Sequence, residues 1–172
     1  MIKNTKVPVL GFAAYSGTGK TTLLCQLIPL FKEAGIRVGI IKHAHHRFEI
    51  DNPKKDSHKL RTAGATQTML ASRHRWALIT ETNLEDDPQL DHLIAQLDQG
   101  NLDLILVEGF KDVKFPKIEL HRPSLGKQLI FPEDKSIIAF ATDESIDQQC
   151  PVPQLDIGNP KTIFDFIKDK VL

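Results

Sequence analysis

A chain of 172 residues is long enough for one domain with a real core, and 41% apolar with 26% charged residues excludes a disordered polymer. Lysine plus arginine equals aspartate plus glutamate, so a net charge of zero excludes an overall basic footprint for nucleic acid and a bulk attraction to anionic membrane. Cys25 and Cys150 are too few for a disulfide scaffold, and no apolar run approaches about 18 residues, so a soluble cytoplasmic protein with reduced thiols is expected.

In chain order, Val7–Ala13 is a short apolar run of strand formers followed at once by a glycine-rich turn. Thr22–Ala34 has helical character, with Leu23, Leu27, Leu30 and Phe31 on one face and Gly35 as its stop. Pro29 conflicts with that helix and either kinks it or ends it early. Arg37–Lys42 reads as a second buried strand and Ala44–Lys55 as a polar loop. Asp56 or Ser57 is placed to cap a helix that runs to about Ala63 and stops at Gly64.

Thr66–Ala71 and Trp76–Thr80 read as strands, and Asp87-Pro88 as the cap and first residue of a helix to about Leu97. Leu102–Val107 is nearly continuously apolar, as a strand buried on both faces requires. Ile118–His121, Ile137–Thr142 and Val152–Asp156 are further strands, and Asn159-Pro160 opens a last helix. Strands alternating with helices predict an α/β fold, a three-layer sandwich with a mostly parallel central sheet. The proline-bearing stretch 111–133 is expected to be an antiparallel or edge addition. No repeat or linker divides the chain, so one nucleotide-binding domain over 1–172 is expected.

Ala14-Tyr15-Ser16-Gly17-Thr18-Gly19-Lys20-Thr21 matches G-x-x-x-x-G-K-[ST] except at its first position, in the required strand–loop–helix setting. Such a loop aims successive N–H groups and the positive end of a helix at phosphate oxygens, and it makes the expected sandwich P-loop NTPase-like. Ser16, Gly17, Thr18, Gly19, Lys20, Thr21 and Thr22 are therefore the expected phosphate-binding residues. Lys20 would reach the β- and γ-phosphates, and Thr21 would bind Mg²⁺ through its hydroxyl. Ala14 costs on the order of 1 kcal/mol if its φ is positive and almost nothing otherwise. Glu108-Gly109 follows the apolar strand directly, on the sheet edge where ligands of α/β folds sit, so Glu108 is a second candidate for Mg²⁺.

Lys42-His43-Ala44-His45-His46 lacks the cysteine or second histidine pair of a zinc site. It reads either as contact with a phosphate-bearing ligand or as a solvated loop. Lys42, His43, His46, Arg61 and Gly109 are the other residues expected near a ligand. Ser72–Trp76 reads as a charged turn with Trp76 entering the core, against the alternative of a surface for an anionic pterin or a partner. Asp143 in A-T-D-E is a weak echo of the N-K-x-D aspartate that accepts hydrogen bonds from guanine.

The P-loop, R-V-G-I-I-K-H (Arg37–His43), His46, Asp51, K-D-S-x-x-x-x-x-A-G-A (Lys55–Ala65) and LILVEGFK (Leu104–Lys111) together resemble the MobB family of molybdopterin-guanine dinucleotide biosynthesis adaptor proteins over the whole chain. That resemblance implies a GTP-binding homodimer with Mg²⁺ and at most weak GTPase activity. It also implies a partner, the MobA-type molybdopterin guanylyltransferase, with molybdopterin or molybdoenzyme clients as further candidates. The V-E-G segment is similar to dethiobiotin synthetase and its relatives, which add an aspartate for Mg²⁺; Asp51 or Asp56 matches it here. The competing function is an ATP-dependent small-metabolite kinase or ligase of that class, with Lys111, Lys114, Lys117, Arg122 and Lys127 available for a cationic lid. Arg73 or Arg75 could supply charge across a dimer interface.

Overall fold

A computed structural model describes residues 2–3, 5–44, 48–84, 87–146 and 150–172; His46 lies outside these. They form two compact units, one of Met1–His43 with Gln89–Leu172 and one of Ala44–Pro88. No helix among the described residues is long and apolar enough to cross a membrane.

The first unit is built on a six-stranded sheet in the order β2-β5-β1-β6-β7-β8. Its strands are β1 (Val9–Ala13), β2 (Val38–Lys42), β5 (Leu104–Glu108), β6 (Lys117–His121), β7 (Ile137–Thr142) and β8 (Gln154–Asp156). Every neighbouring pair is parallel. Period-two alternation divides the side chains between two faces. Leu10, Phe12, Leu104, Leu106, Ile118 and Leu120 pack with α1 (Lys20–Glu33) and α4 (Pro160–Lys170). Val9, Ile105 and Val107 face the other way, against Leu90 and Ile94 of α3 (Leu90–Ala95). The result is a three-layer sandwich. Leu104, Ile105, Leu106 and Val107 are all fully buried, as their unbroken apolar run demanded.

Helix α1 runs through Pro29. The missing N–H frees only the carbonyl of Cys25, and both residues are exposed, so water can satisfy it. Gly35 ends the helix as expected: its N–H donates to Lys32 O at 3.1 Å and that of Ile36 to Phe31 O at 2.9 Å, the paired bonds of a Schellman motif. Helix α3 opens at Leu90 and not at Pro88, because Gln89 is extended with ψ 131°. At the start of β2 and β5, the Arg37 guanidinium forks onto both oxygens of Asp103 at 2.9 and 2.8 Å.

The stretch 111–133 is not an antiparallel or edge addition. Its strand, β6, lies parallel between β1 and β7 in the middle of the sheet. The alternation of Lys117, Glu119 and His121 with Ile118 and Leu120 imitates a strand with one wet face, but all five are buried. The polar face is satisfied internally. Lys117 Nζ donates to Lys111 O at 2.9 Å and Val113 O at 2.6 Å, and pairs with Asp134 at 2.8 Å. Gly11 on β1 makes room for this lysine, since a Cβ there would lie 2.6 Å from its Cγ. Glu119 accepts the N–H groups of Ile130 at 2.8 Å and Phe131 at 2.7 Å, fastening the loop that follows the strand. Lys117 and Lys114 are thus both engaged with Asp134 and are structural cations.

The second unit holds α2 (Asp56–Thr62) and the antiparallel pair β3 (Gln67–Ala71) and β4 (Trp76–Thr80). Neither expected residue caps α2: Lys55 occupies the N-cap position. Ser57 instead donates to Asp51 at 2.9 Å, and Asp56 pairs with Lys59 at 2.9 Å. Trp76 does not enter a core; it is 66% exposed. Met69 stands opposite Leu78 and Ala71 opposite Trp76, so one face of this hairpin is apolar and open.

Asp134 sits at 5% exposure. Burial works to raise its proton affinity, but Lys117, Ser136 and Lys114 outweigh that and hold it well below the usual carboxylate range. The unfolded chain therefore takes up this proton first. The stabilisation is complete above the unfolded value of about 3.9 and is lost as the pH falls towards the native one. Asp134→Asn should cost about 3–5 kcal/mol by leaving a buried ammonium uncompensated. Urea melts should show that loss at neutral pH and a shallower fall in stability below about pH 4 than in the wild type.

Candidate functional site

Because the sheet is parallel, the loops after β1, β2, β5, β6 and β7 leave by the same edge. After β1 the chain enters the glycine-rich loop expected to bind phosphate, called the phosphate loop below for that expectation. Gly17 and Gly19 take φ of 84° and 100°, where an L side chain is strained. Among the described residues Phe110 is the sole non-glycine with positive φ, so Ala14 causes no backbone strain. Gly19 is the N-cap of α1 and no side chain caps that helix, which leaves its first-turn N–H groups for an anion. Thr18 is buried and ties the loop by donating from Oγ1 to Tyr15 O at 2.8 Å. Ser16 and Thr22 are exposed at the loop mouth.

Lys20 turns back over the loop and donates from Nζ to Ala14 O at 2.9 Å and Tyr15 O at 3.2 Å. Burial lowers its proton affinity, Glu108 opposes this, and the charge of Lys42 adds to the lowering. Thr21 Oγ1 donates to Glu108 Oε1 at 3.2 Å, and Lys42 Nζ lies 3.4 Å from Oε2. One carboxylate thus gathers the P-loop hydroxyl and a cation from β2.

The Glu108 backbone is held as firmly: its carbonyl accepts the His43 N–H at 2.8 Å. Gly109 follows at φ 102°, and a Cβ there would come within 2.6 Å of His43 Cβ, so only glycine fits. His43 stacks on Phe110, with ring centroids 4.6 Å apart. These contacts bring Lys20, Thr21, Lys42, His43, Glu108 and Gly109 together. Asp51, Asp56 and Arg61 belong to the second unit, where Arg61 forms ion pairs with Glu49 and with Glu81.

Arg122 was legible only as a lid cation, yet it lies directly against the phosphate loop. Its Nε donates to Thr18 O at 3.0 Å and its Nη1 pairs with Asp143, the residue that follows β7. No motif marks it. It follows β6, and its position emerges only once β6 is known to adjoin β1. His121, on the same strand, is buried 5.8 Å from Phe140; burial lowers its proton affinity and Asp143 opposes that.

The donor set suits a hard cation, with a hydroxyl and a carboxylate to be completed by phosphate and water. Among the described residues no group of three or more His, Cys, Asp or Glu gathers as a protein-only metal site would need.

The family model for Molybdopterin guanine dinucleotide synthesis protein B, MobB, matches residues 9–143. A molybdopterin-guanine dinucleotide biosynthesis adapter protein from Escherichia coli is 47% identical over 97% of this chain and 95% of its own length. One from Haemophilus influenzae is 44% identical over 96% of this chain and 90% of its own. Among solved structures, that of Bacillus subtilis MobB superposes with a TM-score of 0.75 at 21% identity, over 96% of this chain and 98% of that one, which shows the shared fold. Phosphate loop, strand-end glutamate and whole-length similarity agree: the chain belongs to the MobB family.

Proposed function

We propose that this protein binds GTP with Mg²⁺ and acts as an accessory adaptor in the conversion of molybdopterin to molybdopterin guanine dinucleotide, serving a MobA-type guanylyltransferase. The observation that carries the nucleotide part is the grouping of Lys20, Thr21 and Glu108 at the uncapped start of α1. Lys20 and the loop N–H groups would hold the phosphates, and Thr21 with Glu108 would hold Mg²⁺. The metal, when bound, neutralises phosphate charge. Asp143 would accept hydrogen bonds from the guanine. The pathway assignment rests on family membership and on the names of the relatives.

GTP hydrolysis by the lone protein would be slow. Arg122 is the arginine that touches the phosphate loop, and its guanidinium is already committed to Thr18 and Asp143. An arginine free to meet transition-state charge is worth roughly 10³–10⁵ in rate. The kinase alternative loses support, because Lys114 and Lys117 are tied to Asp134 and do not furnish a lid. A homodimer would cover the apolar surface of the second unit, where Phe48, Ile50, Leu60, Met69, Trp76, Leu78 and Leu84 are all exposed.

Thermal-shift titration with GTP and with guanosine tests the phosphate assignment. Lys20→Ala should abolish most of the GTP-induced stabilisation and leave the guanosine response near wild type, since Lys20 would form charge-assisted bonds to phosphate alone. Equal stabilisation of variant and wild type by GTP would remove Lys20 from the site. In the same assay, Glu108→Gln should lose the Mg²⁺ dependence of GTP binding while its circular dichroism matches wild type. An unchanged Mg²⁺ dependence would take Glu108 out of the metal's surroundings.

A further inference from the structure

Lys42 ends β2 and Glu108 ends β5, and the two are register partners on adjacent parallel strands. Side chains at paired positions leave the same face of a sheet, so the strand pairing itself delivers this lysine to this carboxylate. Its Nζ lies 3.4 Å from Oε2. Thr21 Oγ1 donates to Oε1 at 3.2 Å and lies 3.4 Å from Oε2, so the lysine and the phosphate-loop hydroxyl share one oxygen. The partners differ in exposure: the Glu108 side chain is 13% exposed and that of Lys42 56%. The carboxylate is thus fixed, and the lysine, on a flexible stem in solvent, is the partner able to turn away.

The charge of Lys42 also lowers the proton affinity of Lys20, so the two ammoniums stand close enough to repel. Lys20 is held by the carbonyls of Ala14 and Tyr15, and Lys42 by Glu108. An ammonium and a hard divalent cation compete for the same oxygens. Mg²⁺ takes carboxylate oxygen at about 2.0–2.1 Å, and its double charge opposes a neighbouring ammonium.

We propose that Lys42 is a built-in counter-cation that competes with Mg²⁺ for Glu108, covering the carboxylate when a triphosphate binds without metal and yielding it when Mg²⁺ binds. The inference rests on the reading of Glu108 as a metal ligand beside a triphosphate and deepens it. Without Lys42, the carboxylate would meet the incoming phosphates as a bare like charge, and only a metal would remove that repulsion. With Lys42, the repulsion is already covered. This lysine therefore reduces the dependence of the site on Mg²⁺, whereas an ordinary phosphate-binding cation would strengthen metal-free and metal-bound ligand alike.

The test is the ratio of two dissociation constants for inorganic tripolyphosphate, one in EDTA and one in saturating Mg²⁺, measured by calorimetry on the full chain with GTP alongside. Lys42→Met should weaken metal-free binding about tenfold and leave binding with Mg²⁺ within about twofold, so the ratio rises. Its circular dichroism should match wild type; Lys42→Gln serves if the methionine variant does not fold. Lys42→Arg, which keeps a cation on β2, should return the ratio to near wild type. In a Glu108→Gln background the carboxylate charge is gone, and Lys42→Met should no longer change the ratio. A ratio unchanged by Lys42→Met overturns the inference and leaves the Mg²⁺ role of Glu108 standing. An undiminished effect of Lys42→Met in the Glu108→Gln background overturns it as well. One ratio common to wild type, Lys42→Met and Glu108→Gln overturns the metal role of Glu108 and the inference with it, while the phosphate loop stands. A wild type that binds neither GTP nor tripolyphosphate overturns the nucleotide reading itself.

Discussion

The parallel pairing of β1 with both β5 and β6 is the constraint on which the site depends. It sets three strand ends side by side, so that the phosphate loop is flanked by Glu108 on one hand and Arg122 on the other. An antiparallel neighbour would send one of those residues to the opposite edge of the sheet. The pairing in turn requires β6 to be buried on both faces, although half its side chains are polar. Asp134, the carbonyls of Lys111 and Val113, and the N–H groups of Ile130 and Phe131 meet that requirement. The buried polar network along β6 is therefore what keeps Arg122 beside the loop.

Most of the sheet, and the residues that gather at the candidate site, were readable from local pattern. The run Leu104–Val107 was apolar without interruption, and a strand hidden on both faces follows from that alone. Lys20 and Thr21 were readable because the loop chemistry fixes their spacing, and Glu108 because it ends an apolar strand. What escaped was non-local. The alternation in β6 is the same whether its polar face meets water or meets Asp134, and no neighbouring residue tells the two apart. Arg122 was hidden for that reason. Trp76 failed in the opposite direction: a large aromatic was assigned to a core, and the hairpin leaves it in the open.

The second unit has a different economy from the first. Its α2 contains no buried residue, and the side chain of Arg61, shared between Glu49 and Glu81, is among its less exposed groups. Ion pairs at a surface contribute little each. Met69, Trp76 and Leu78 stand exposed on its hairpin, so little apolar burial holds this unit.

The posture of Lys20 sets the terms on which this loop would bind an anion. The ammonium already has two acceptors, the carbonyls of Ala14 and Tyr15. Capture of an anion by this lysine would then be an exchange and not a simple gain: oxygens of the loop would be traded for oxygens of the ligand. The net driving force is the difference between a charged acceptor and two neutral ones.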